Sequence, residues 1–350
     1  MLEKSQKVKG HTISSRTCVV AIALVCASVF YSAKGLNAES ESPLFWPSPP
    51  FDIRISFVKS IYTAKDFGIK PTLFKKFKRF ISGQKDDPMD RPVAVAVDRH
   101  GMIYVCDPGG SAVHVFDREG KNYSKISVVG KQPLFSPVGV AIGKQGSIFI
   151  SDSKLEKVFC LDHKGRLKYT VGGDQSFHRP TGLVVGGDRL YIVETAAHRV
   201  QIYDTAGHFL RSFGQRGKGS GEFNYPTNIS LDKDGKIYIV DTLNFRIQVF
   251  DQQARFLYSL GGAGDSSGYF SRPKGVAVDS FGHVYATDGL SDNVQIFSQK
   301  QEFLLSFGES GHKDGEFWIV SGIAIDEKNN IYVADSYNHR LQVFRYVGKD

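Results

Sequence analysis

Cysteine is too scarce in this chain to staple a fold. Of the four in 350 residues, Cys18 and Cys26 belong to an apolar N-terminal segment, leaving Cys106 and Cys160 for the body. Their spacing is neither that of a metal-ligand pair nor that of a redox motif. Both lie in strand-like runs and are expected as buried thiols behaving like small hydrophobes. No polar or single-sign tract is long enough for a disordered domain. No Gly-x-Ser-x-Gly elbow occurs, and Asp232-Lys233-Asp234-Gly235 is too short for a calcium loop. The glycine-rich stretch Gly217-x-Gly219-x-Gly221 joins two repeat units and opens no helix, so phosphate cradling is not expected.

A net charge of +8 invites a nucleic-acid reading until it is located. Residues 1–38 carry five Lys/Arg against one acid, and residues 65–85 carry seven against Asp66. From Asp86 onward there are 30 Lys/Arg and 31 Asp/Glu. The main body is balanced, so it offers no basic groove and no nucleic-acid partner is expected.

Lys4, Lys7, Lys9 and Arg16 precede an apolar run from Cys18 to Tyr31, which small and polar residues follow. That run is shorter than the ~20 residues a spanning helix needs. Residues 1–38 therefore read as a signal peptide, with Leu36-Asn37-Ala38 as the cleavage site before Glu39. Retention as an anchor, or lipidation at Cys26, is the other reading, although Ala23-Leu24-Val25 matches a lipidation signal poorly. Either way the body is expected outside the cytoplasm, periplasmic or extracellular.

What the chain has in abundance is self-similarity. Six units open with a short lead-in: Arg91-Pro92, Ser136-Pro137, Arg179-Pro180, Tyr225-Pro226, Arg272-Pro273 and Trp318-Ile319. Successive lead-ins stand 45, 43, 46, 47 and 46 residues apart, the period of a four-stranded propeller blade. Within units, period-two runs such as Lys236-Ile237-Tyr238-Ile239-Val240-Asp241 read as strands of an antiparallel meander. The first turn repeats as Asp-x-x-Gly at 98–101, 232–235 and 279–282, with Asn329 replacing Gly after Asp326. The spacing predicts an all-β, six-bladed propeller over 91–347.

The sixth unit ends after its third strand, Arg340-Leu341-Gln342-Val343-Phe344, leaving an edge that must be covered. Within the segment 39–90, residues 52–61 alternate with period two and are expected to supply the missing strand. Residues 71–82 instead place Leu73, Phe74, Phe77, Phe80 and Ile81 on one helical face, with Lys75, Lys76, Lys78 and Arg79 opposite. Such a basic amphipathic helix either packs beneath the propeller or lies on an anionic membrane surface.

These units resemble the NHL repeat. Asp335-Ser336-Tyr337-Asn338-His339-Arg340-Leu341-Gln342-Val343-Phe344 matches the core of that repeat, with Asn338, His339 and Leu341 its signature letters. Asp241 to Phe250 departs only by Phe245 for His, and Glu194 to Val200 keeps the pair His198-Arg199. The resemblance implies a propeller and leaves function open. The repeat serves in protein–protein scaffolds, RNA binders, an amidating lyase holding zinc and calcium, and exported bacterial proteins laid out like this one.

Candidate site residues follow from the repeat. Every second strand ends in an acid: Asp107, Asp152, Glu194, Asp241, Asp288 and Asp335. As a ring at the channel mouth they would hold a cation or steer a positive ligand; each would otherwise cap its own hairpin or pair with the Arg five residues on. Arg91, Arg179 and Arg272 from the lead-ins and Arg199, Arg246 and Arg340 from the third strands are expected on the same rim, suited to an anionic or zwitterionic ligand or to surface salt bridges. His198 and His339 occupy equivalent positions three blades apart and are the candidate zinc ligands, though a third ligand is not evident. No cofactor is expected; zinc or calcium is the alternative. The sequence thus points to a non-enzymatic binding module of the cell envelope whose rim engages a protein, peptide or glycan. The competing reading is an extracytoplasmic metal-dependent lyase or hydrolase acting at the channel mouth.

Overall fold

Six antiparallel sheets stand around a common axis in the computed structural model, which describes residues 43–69, 88–117, 119–173 and 177–348. The blades follow one another in sequence. Blade 4 is representative, with strands Pro226–Leu231, Ile237–Asp241, Arg246–Phe250 and Phe256–Leu260 ordered from the axis outward. The first strands of the other blades are Ala94–Val97, Pro137–Ile142, Pro180–Gly186, Pro273–Val278 and Val320–Ile325. Each touches its two neighbours, so the ring is closed. The segment 71–82 and residues 1–38 lie outside the described residues. Among those described, no helix is long and apolar enough to cross a membrane.

Burial changes with distance from the axis. Second strands are sandwiched on both faces between adjacent blades, and Ile237–Asp241 and Ile103–Asp107 are buried at every position. The expected alternation therefore disappears there and survives in the outer strands, where Phe303, Leu305 and Phe307 are partly or fully buried and Leu304 and Ser306 are exposed. Cys106 and Cys160 are free and buried in this inter-blade core. Burial pushes the Cys106 thiol up, and the neighbouring Asp107 and Asp152 add to it, so the thiol stays protonated and inert.

The turns obey the chemistry read from the sequence. Asp232 accepts from the amides of Asp234 and Lys236 through Oδ1, and Gly235 takes φ of 76°. Asn329 fills the same left-handed position with φ of 57°.

Blade 6 is closed from the N-terminal side. Ile55–Ile61 pairs antiparallel with Arg340–Tyr346, with Ser56 opposite Arg345 and Ile61 opposite Leu341. Phe45–Trp46 adds a fifth strand, and Trp46 packs on Phe307 and Phe344 at centroid distances of 5.9 and 5.7 Å.

Buried hydroxyls stitch one blade to the next. Thr195 Oγ1 donates to the Pro226 carbonyl at 2.7 Å, Thr242 to Pro273 at 3.1 Å, and Ser336 to Pro92 at 2.6 Å. In blades 2 and 5 the donor moves to the other side of the acid, where Ser151 bonds Thr181 and Thr287 bonds Ser321. Where first strands meet, the backbones approach closely. A Cβ on Gly139 would fall 2.1 Å from the Thr181 carbonyl oxygen, so only glycine fits.

Candidate binding face at the channel mouth

The loops joining second to third strands, together with the lead-ins, form one face of the propeller, here the mouth face. Its organisers are the six acids, each of them fully buried. Asp152 accepts from the amides of Phe135 and Ser136 through Oδ2 and from Lys154 and Leu155 through Oδ1. Asp288 does the same with Ser271, Arg272, Leu290 and Ser291. Asp241 binds the Asn224 amide, Asn244, Arg246 and Gln248 at 2.6 to 3.0 Å. Asp335 repeats that set with Trp318, Asn338, Arg340 and Gln342, and Glu194 with His178, Arg199 and Gln201.

Asp107 departs in one partner. His114 stands where blades 3 to 6 carry Gln, reaching Asp107 Oδ2 at 3.0 Å and the Tyr123 hydroxyl at 2.8 Å. Burial alone would raise the Asp107 carboxyl. Hydrogen bonds from His114 and from the amides of Asp90, Gly110 and Arg91 outweigh that effect and hold it far below the usual range. The ring thus spends its oxygens holding lead-ins and loops together.

The six arginines divide evenly. Arg199, Arg246 and Arg340 pair with the acid five residues before them. Arg340 is itself fully buried and also reaches the carbonyls of Lys313 and Glu316. Arg91, Arg179 and Arg272 are exposed, and among the described residues their guanidinium groups have no ion-pair or hydrogen-bond partner.

His198 and His339 are not brought to one point. Both backbones are left-handed, with φ of 54° and 56°, and both side chains turn towards the following blade. His198 Nδ1 accepts from the Tyr225 amide at 3.1 Å, and the imidazole stands edge-on to the Tyr225 ring. Burial, reinforced by Arg216, lowers its pKa and keeps it neutral. His339 Nδ1 is bonded to the Asp90 carbonyl. Among the described residues, no three His, Cys, Asp or Glu side chains converge as a metal site would require.

The signature letters of the repeat acquire a physical meaning here. Asn338 bridges Asp335 and the Gly311 carbonyl, His339 reaches the next blade, and Leu341 is fully buried. The glycine-rich connector 217–221 is likewise filled by its own chain: Glu222 accepts from the Gly219 amide and from Gln215.

With its acids sunk into the loops, the mouth face exposes aromatic and cationic side chains. Phe135, just before its lead-in, and Tyr225 and Trp318, the first residues of theirs, are 46%, 38% and 45% exposed. Trp318 packs between His312, edge-on to it, and the tilted ring of Tyr337, and Lys154 lies over the Phe135 ring. These aromatics escaped the sequence reading; their recurrence at lead-in positions was the available signal. Below them the channel is a cavity of about 220 Å³ lined by the six first strands, with Asn228 and Ser230 its only polar side chains. Among the described residues no ionisable group lines it.

Comparison with known proteins agrees with this architecture. Residues 174–258 match a family model described as a 6-bladed beta-propeller, and residues 317–344 match the NHL repeat. No protein of curated function matches the sequence. Among solved structures, an auxiliary nutrient binding protein from Bacteroides thetaiotaomicron superposes with a TM-score of 0.57 at 16% identity, over 74% of this chain and 70% of that one. A gluconolactonase from Xanthomonas campestris gives 0.57 at 15%, over 74% and 87%. Virginiamycin B lyase from Staphylococcus aureus gives 0.54 at 14%, over 73% and 95%. At such identities the likeness is one of fold.

Proposed function

We propose that this NHL-repeat propeller is a non-enzymatic binding module of the cell envelope, engaging a protein, peptide or glycan through its mouth face. The observation that carries the reading is the division of labour on that face. The acids are consumed in structure, while Phe135, Tyr225, Trp318 and Tyr337 stand out into solvent beside unpaired arginines. Exposed aromatics flanked by arginine are the composition of recognition surfaces, since each ring contributes large contact area at little entropic cost.

The test is site-directed photo-crosslinking on the full-length protein in its own envelope. A benzophenone at Trp318 should capture a discrete peptide or glycan adduct, whereas the same group at Phe281, on the opposite face, should not. Equal labelling from both positions, or from neither, would overturn the reading.

A further inference from the structure

The six units carry a small or β-branched residue after the lead-in proline, or after Val320 which replaces that proline in blade 6, with one exception. The position holds Val93, Val138, Thr181, Thr227 and Ser321 in five blades, and Lys274 in the fifth. In blades 3, 4 and 6 its hydroxyl bonds the hydroxyl just after the ring acid: Thr181 to Thr195, Thr227 to Thr242, and Ser321 to Ser336, at 2.7 to 2.9 Å. Blade 5 alters both members of the pair. Gly289 takes the second position, and the Lys274 stem lies across it, its Cγ and Cε 3.0 and 3.4 Å from where a Cβ would stand. The inter-blade bond that this hydroxyl would make is supplied by Thr287 instead. Structure thus no longer needs the position.

Lys274 is half-buried, and among the described residues its ammonium has neither an ion pair nor a hydrogen-bond partner. Burial lowers its pKa, and the nearby charges of Arg272 and Arg179 lower it further. The carboxylate of its own blade, Asp288, is already committed to four backbone amides. A cation held half out of water, next to two more cations and without a counter-ion, is costly unless an anion completes it.

We infer that Lys274, with Arg272 and Arg179, forms an oxyanion site at the channel mouth, which receives a carboxylate or phosphate group of the ligand engaged by the mouth face. The inference rests on the binding reading above and names the chemistry of one part of the ligand. Lys274 acts as the central point charge, and the two arginines, Arg272 on its own lead-in and Arg179 on the lead-in of blade 3 beyond blade 4, offer planar donor forks.

Two probes separate the chemistries: inorganic phosphate and citrate, each titrated calorimetrically into the full-length protein. In parallel, acetic anhydride labelling of Lys274 is followed by peptide mass spectrometry with and without each anion. Binding of either should protect Lys274, and the one that protects at lower concentration identifies the group. Lys274→Thr, which restores the residue of blades 3 and 4 and so spares the fold, should weaken binding by about tenfold to a hundredfold, the worth of a charge-assisted hydrogen bond. Lys233→Thr, at an exposed position in the Asp232–Gly235 turn on the opposite face, should leave it unchanged. Absence of protection by both anions, or equal affinity in Lys274→Thr, would overturn the inference. If Trp318 crosslinks its partner while neither anion protects Lys274, the oxyanion site fails and the docking surface stands. If an anion binds through Lys274 while Trp318 captures nothing, the docking surface fails and the oxyanion site stands.

Discussion

A buried carboxylate is expensive, and each blade retains one because several loop donors converge on it. Asp335 shows the dependence most sharply, since its partner Arg340 is also fully buried. Asp335→Ala should cost roughly 3–5 kcal/mol, because removing one member strands the other's charge. Chemical denaturation of variant and parent would read this directly. Asp107 supplies a pH signature. Its folded-state pKa lies below the unfolded value, so its contribution is complete above that value, near pH 4, and is lost as pH falls towards the folded one. Urea midpoints measured from pH 6 down to pH 3 should fall, and Asp107→Asn should flatten part of that descent. At this scale the sequence was least informative. It located all six acids and six arginines but not the amides of Phe135, Ser271 or Trp318 that bind them, and lone pairs are allotted by loop geometry. The left-handed turn at His198 and His339 was equally invisible, and it aims both rings at the next blade.

The strand and the turn were far more legible. Period, lead-ins, Asx turns and the closing strand all follow from local pattern, because each repeats a requirement that the backbone imposes on every blade. Continuous burial of the second strands was not legible, since it depends on having a blade on either side. Close packing of first strands makes a specific demand at Gly139. Gly139→Ala would press a methyl against the Thr181 carbonyl, and a loss of about 1–3 kcal/mol in urea denaturation is expected, the usual cost of overpacking. The N-terminal strand makes another. A chain lacking residues 44–61 leaves Arg340–Tyr346 as an open edge, and size-exclusion chromatography should show aggregates in place of the monodisperse parent.

For the whole molecule, the electrical balance of the body from Asp86 onward and the apolar channel favour the proposal that recognition takes place on a face, and the mouth face carries exposed aromatics and unpaired arginines together. A propeller that commits its acids to architecture leaves the variable lead-in positions free to diversify, and it is on such departures from the repeat that the proposed oxyanion site rests. Lys274 and Gly289 are such departures, and only column-by-column comparison of the six units reveals them.

Joining blade 6 from both ends of the chain also sets a timetable. Ile55–Ile61 is synthesised ahead of every blade, yet its partner Arg340–Tyr346 is made after the other five are complete. Blades 1 to 5 can each assemble from contiguous sequence as they emerge, while the closing strand waits unpaired throughout. Every prematurely terminated product therefore carries a naked β-strand and lacks the one segment that would silence it. Ring closure becomes a proofreading step, passed by complete chains alone, and incomplete ones display the feature by which quality control can recognise them.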